Sequence, residues 1–377
     1  MDLTAPGTRV AVNARARAGT RGWPPAAAVL LGALMSMFGL SWDVQWHSDV
    51  GPDTFFTLPH LLLYTGSAVA GVAALVVVLR TTAAQRAGRS VDPAVGGHAI
   101  GVFGRTFAAP VAYLVTGTAA ATFLLYGLWD QWWHSLYGFD ATIDSPPHIG
   151  LLLAISTTII GSLMAFAAAR AERWGRIGVL VSLALLVAFF TITSLAFQDA
   201  DGAFDAVDTS IAFTTVLLLV VAVSYFRRPG AALLAGGAVA ALQAVLWVFT
   251  PWATYTYADA VGLPVRDYVD RVPGLPSLIP MSLLGVALLL EGALRVARAS
   301  GWSARVVAPL CGAVATALVA ALAPLQRTLL FDAPLPEFGY VAPTAIVALV
   351  LGALAGLLGW RFGLTLRAIA PTTAEEA

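Results

Sequence analysis

The 377-residue chain has no lysine at all, a single cysteine and only 11% charged residues. Without lysine there is no phosphate-binding glycine loop of the kind that ends in Lys, and no Gly-x-Ser-x-Gly nucleophile elbow occurs. ATP-driven transport and serine hydrolysis therefore lose their usual signatures. Cys311 stands alone inside an apolar run, which excludes disulfide scaffolds, thiolate zinc sites and cysteine-ligated iron–sulfur clusters. Any metal has to be held by histidine and carboxylate. Twenty-one arginines balance twenty-one acidic residues, so no global basic field exists to hold nucleic acid.

What the chain has in excess is apolar sequence: 59% hydrophobic residues and a mean hydropathy of +0.81. A hydrocarbon core of ~30 Å takes about 20 apolar residues per helix. Ten runs qualify, at 26–45, 59–80, 108–129, 147–169, 177–197, 209–226, 231–250, 276–297, 304–323 and 341–360. The expected fold class is an all-α integral membrane protein with about ten transmembrane helices. The first run continues into a Trp- and Asp-bearing segment with no small-residue cleavage site, so it reads as an anchor. Eighteen arginines fall on the side of the termini and three, Arg266, Arg271 and Arg327, on the other. By the positive-inside rule both termini are cytoplasmic in a cell membrane. Fifteen of the twenty-one acidic residues fall on the opposite side, in agreement.

A repeat stands out near the N-terminus. Residues 42–60 read WDVQWHSDVGPDTFFTLPH and residues 129–148 read WDQWWHSLYGFDATIDSPPH. The pairs are Trp42 with Trp129, Asp43 with Asp130, Trp46 with Trp133, His47 with His134, Ser48 with Ser135, Gly51 with Gly138, Asp53 with Asp140, Pro59 with Pro147 and His60 with His148. Each copy ends one helix, turns and opens the next. Because the intervening loop restores direction, the expectation is a parallel duplication of the first two helical hairpins about an axis along the membrane normal. The organisation expected is an Arg-rich tail at 1–25, hairpin one at 26–81, a loop at 82–107, hairpin two at 108–170, a six-helix region at 176–365 and a tail at 366–377.

Four of the five histidines lie in this repeat; His98, in the Arg-rich loop, reads as a solvated residue. Asp-x3-His is an i, i+4 spacing that puts carboxylate and imidazole on one helix face. His60 and His148 each follow a proline suited to the first turn of a helix, where the helix dipole favours neutral imidazole, the form a metal needs. The candidate metal ligands are Asp43, His47 and His60 in one copy and Asp130, His134 and His148 in the other. One carboxylate and two imidazoles with open positions suit a reactive or exchangeable site. Gly51-x-Asp53 and Gly138-x-Asp140 read as turn and cap chemistry. The tryptophans read as an interfacial belt or as lining of the site.

Asp43-x3-His47-x12-His60 resembles the copper-ligand pattern in the membrane-embedded C subunit of particulate methane and ammonia monooxygenases. In that subunit an Asp and a His on one helix and a His on the next form a copper site near the outer face. The first copy fits that spacing; the second, Asp130-x3-His134-x13-His148, is one residue longer in the turn. The resemblance covers about sixty residues per copy, with no match in the six C-terminal helices. It implies copper as cofactor and, beyond that, a part in oxidation of a small apolar substrate. Zinc and iron stay open as metals, since two His and one carboxylate are also the facial set of non-haem iron. A copper or zinc transporter or metal-delivery protein is an alternative function, and a structural subunit without metal a second. The partners this composition admits are the lipid bilayer and other membrane subunits or further copies of the chain.

Elsewhere polar features are sparse. Glu291 is expected to pair with Arg295 at i, i+4, the acidic stretch Asp199 to Asp208 to be a solvated turn, and the long loop 251–275 to lie at the interface, where it can cap the neighbouring hairpins. Gln243 lies within an apolar span. Gly352-x-x-x-Gly356 fits close helix packing in lipid.

Overall fold

The structure, a computed structural model, describes residues 22–138, 143–200 and 202–370. Ten of its helices are long and apolar enough to cross a membrane. In chain order, α1 is Trp23–Asp49, α2 Leu58–Arg86, α3 Val111–Tyr137, α4 Pro146–Ala168, α5 Arg173–Thr193, α6 Ala206–Phe226, α7 Ala231–Val261, α8 Gly274–Leu278, α9 Leu283–Ala299, α10 Ala304–Phe331 and α11 Phe338–Ile369. A 3₁₀ turn, Ser194–Ala200, extends α5, and the short α8 with α9 makes up one broken span. Between α2 and α3 lies a small antiparallel hairpin, β1 Ala99–Val102 with β2 Phe107–Pro110, where the sequence predicted only loop.

The helix starts that matter most are set by proline. Pro59 and Pro146–Pro147 occupy first-turn positions whose N–H groups have no intrahelical acceptor to lose. His60 and His148 are consequently each the third residue of their helices, within the first turn that the sequence predicts for them. Ser145 caps α4, accepting from the His148 backbone N–H at 3.4 Å.

Helices α1 to α4 pack in a ring: α1 on α2, α2 on α3, α3 on α4, and α4 back on α1. Ser36 Oγ on α1 bonds the Leu63 carbonyl on α2 at 3.2 Å, the kind of close polar contact that holds helices where lipid supplies no hydrophobic drive. Helix α5 is also largely buried, with Val179, Leu183, Leu185, Leu186 and Phe189 all sealed in the core. On the far side α10 and α11 cross tightly: a Cβ at Gly352 would stand 2.6 Å from the Gly312 carbonyl, and one at Gly356 would strike the Ala308 carbonyl. The glycines of the Gly352-x-x-x-Gly356 motif are therefore set by backbone approach.

Several sequence expectations change here. Helix α7 does not stop at Thr250 but runs through Pro251 to Val261, so the first part of the supposed 251–275 loop is helical. Within a membrane bundle the hydrogen bond proline removes is tolerated because neighbouring groups compensate. Glu291 does not pair with Arg295 among the described residues; its Oε1 accepts the Ala232 N–H at 2.8 Å and so caps the start of α7, where the helix dipole favours an anion. The stretch around Asp205 and Asp208 is not merely a solvated turn. Asp205 caps α6, and Arg327 on α10 reaches Asp208 at 2.8 Å and Asp205 at 3.5 Å. Gln243 donates to the Pro276 and Ile279 carbonyls and so serves the break between α8 and α9.

Candidate metal centre

Helices α1 and α3 both end in a turn opened by a glycine with positive φ, Gly51 at 105° and Gly138 at 91°, a conformation that costs glycine nothing. Each turn returns the chain into a helix that brings a histidine back beside the outgoing Asp-x3-His. All six predicted ligands come together in this way, as two clusters.

In the second cluster Asp130 Oδ1 stands 3.4 Å from His134 Nε2 and 3.2 Å from His148 Nε2, and the two imidazole nitrogens are 3.3 Å apart. The triangle is nearly equilateral. Two donors bonded to one metal at ~2.0–2.1 Å and a tetrahedral angle lie about 3.3 Å apart, so its edges match those of a coordination face. In the first cluster His60 Nε2 lies 3.1 Å from Asp43 Oδ1, and His47 Nε2 lies 3.8 Å from the same oxygen. A fourth group joins them that the sequence reading assigned to turn chemistry: Asp53 Oδ2 is 3.2 Å from His47 Nε2 and 3.5 Å from His60 Nε2. Asp53 does both jobs, since its other oxygen accepts the Thr54 N–H at 2.8 Å. Its appearance in the repeat was the available signal. Asp140, its counterpart, lies outside the described residues.

The imidazoles are oriented as ligands. His60 donates Nδ1–H to the Thr54 carbonyl at 3.0 Å and His134 donates Nδ1–H to the Gly138 carbonyl at 2.7 Å, because a carbonyl can only accept. In the neutral ring this leaves the Nε2 lone pair facing the carboxylates. Asp43 Oδ1, Asp53 Oδ2 and Asp130 Oδ1 are buried and accept no hydrogen bond of ordinary geometry. Buried carboxylate oxygens of this kind are costly unless charge or hydrogen bonds compensate them. Protonating both imidazoles of the second cluster would not resolve this, for at 3.3 Å two Nε2–H groups would point at each other. A cation at the centre satisfies every donor together, so the residues present fit a metal. When the imidazoles are protonated rather than metal-bound, burial by itself would raise the Asp53 carboxyl, but the His47 imidazole, the charge on His60 and the Thr57 hydroxyl outweigh it and hold Asp53 below the usual carboxylate range.

Both clusters open into one cavity of about 290 Å³. Its deeper wall, away from the turns, is apolar: Leu40, Leu63, Leu151 and Leu152. Tyr64, one helical turn after His60, also lines it and stacks on the His60 ring with centroids 5.8 Å apart. The tryptophans of the first copy are neither belt nor lining. Trp42 and Trp46 are buried against Phe249 and Tyr257 of the extended α7, and Trp46 Nε1 donates to the Pro52 carbonyl at 2.7 Å. In the second copy Trp129 and Trp132 are exposed, as a lipid-facing belt would be. Compared with known proteins, the chain matches no family model, no curated protein and no solved structure.

Proposed function

We propose that the protein is a multi-pass membrane metalloprotein that holds divalent copper in two clusters, Asp43, His47, Asp53 and His60 in one and Asp130, His134 and His148 in the other. The observation that carries this reading is the coincidence of coordination-length edges with buried, unbonded carboxylate oxygens in both clusters. Copper is favoured because an all nitrogen and oxygen donor set binds Cu(II) most tightly among the divalent first-row metals, and because of the resemblance to the monooxygenase copper hairpin. In this reading the two hairpins are a parallel duplication, and the end of the bundle bearing the clusters faces away from the cytoplasm, as the arginine distribution requires.

Bound copper would supply one-electron redox chemistry beside an apolar wall, which suits oxidation of a small apolar substrate. The protein residues would hold and orient it: the carboxylates neutralise charge, the Nδ1–H bonds of His60 and His134 fix ring orientation, and the leucine wall excludes water. Retention is favoured over transport by that same wall. Leu40, Leu63, Leu151 and Leu152 lie deeper along their helices than the ligands and close the cavity floor with side chains that offer a cation no donor. Metal analysis of detergent-purified protein after loading and washing tests the reading. The expected result is about two copper ions per chain, falling to trace in a His47→Ala/His134→Ala variant. Equal content of copper, zinc and iron in the two proteins would overturn it.

A further inference from the structure

Resting on the reading that both clusters hold metal, we infer that they are two halves of one bimetallic centre that binds a single small anion between its cations. The clusters come from different hairpins and nothing in the spacing of the repeat requires them to meet, yet they line the same cavity. The charge of Asp130 is within electrostatic reach of His60 and Asp43, and the Tyr64 phenol is within reach of Asp130, Asp43 and Asp53.

Charge then dictates the ligand. Among the described residues three carboxylates face the cavity and no arginine lines it. Two divalent cations therefore leave about one unit of positive charge uncompensated, in a chamber otherwise walled by leucine and isoleucine. A low-dielectric pocket with that excess selects a small anion. The space, about 290 Å³, is several times the ≈30 Å³ share of one water molecule, so an anion of two or three atoms fits between the metals. Two metals sharing one ligand is the arrangement that clamps both ends of a reacting group.

Azide is the probe. Full-length protein in detergent, loaded with Cu(II), is titrated with azide while spin-counted paramagnetic resonance is compared with total copper. A bridging anion couples the two copper spins, so the expected result is one azide per two coppers and a spin count that drops well below the copper content, to about half or less. A His148→Ala variant, which keeps the first cluster, should show full spin and no loss on azide addition. Two coppers that each keep full spin and each take their own azide would overturn the bimetallic centre while leaving the metal-binding reading intact. A single copper per chain would likewise overturn it. Absence of bound copper, zinc or iron in the wild type would remove the underlying reading and this inference with it.

Discussion

Arg266 lies across the end of α1 and donates from Nη1 to the His47 and Ser48 carbonyl oxygens, both at 3.0 Å, while its backbone N–H bonds the Asp49 carbonyl at 2.8 Å. The last carbonyls of a helix have no intrahelical donor, and a guanidinium there also meets the negative end of the helix dipole. A residue some 220 positions downstream thus braces the turn that carries a candidate ligand. A Cβ at Gly51 would run into the same guanidinium.

Loss of that brace should be felt at one cluster only. Arg266→Ala is expected to weaken copper at the Asp43 cluster by about tenfold, the usual size of an outer-shell effect, with the Asp130 cluster unchanged. Competitive chelator titration, resolved by combining the change with Asp43→Ala or Asp130→Ala, measures each separately. Equal weakening of both, or none, would show that Arg266 only staples the loop. Arg266→Lys should restore part of the affinity, since both carbonyls are met from the single Nη1 nitrogen and an ammonium keeps the charge and enough donors for two acceptors.

Much of this arrangement is legible in the sequence and some of it is not. The ten spans follow from the thickness of the bilayer, and the two Asp-x3-His pairs from helical periodicity. The His60 and His148 positions follow from the prolines before them. Asp53 was hidden because an acid two residues after glycine is ordinary turn chemistry; only the fold shows one of its oxygens turned to His47. The end of α7 was misplaced because Pro251 and the aromatic, polar run after it look like a loop. That extension is what buries Trp42 and Trp46. Glu291 has an i, i+4 partner in sequence, but its cap on α7 depends on a helix 59 positions away. Least legible was the shared cavity, which depends on α4 packing back on α1.

The orientation proposed from the arginine count can be measured directly. In a Cys311→Ser background, Phe56→Cys lies in the turn between α1 and α2 and is exposed, while Arg89→Cys is exposed just past the end of α2. A membrane-impermeant maleimide applied to intact cells is expected to label the first and spare the second until the cells are opened. The reverse pattern would place the clusters on the cytoplasmic side and invert the assignment.

Acid should release the metal, and histidine rather than carboxylate should set the midpoint. Each cluster offers two imidazole nitrogens that must be unprotonated to bind, so protons compete with metal two at a time and affinity falls by up to about 100-fold per pH unit where both imidazoles take up protons. Asp53 does not share this window. Its carboxyl is held below the ordinary value, so its ionised form, and the stability it contributes, is present above the unfolded carboxylate pKa of about 3.9 and is lost only as pH falls through the lowered one. Equilibrium dialysis against buffered copper in steps from about pH 8 to about pH 4 should therefore show loss with a two-proton slope per site. Asp53→Asn should lower affinity at the first cluster while leaving the two-proton slope in place. Copper retained undiminished to about pH 4.5, or lost with a single-proton slope near the carboxylate range, would mean that the imidazoles are not the ligands.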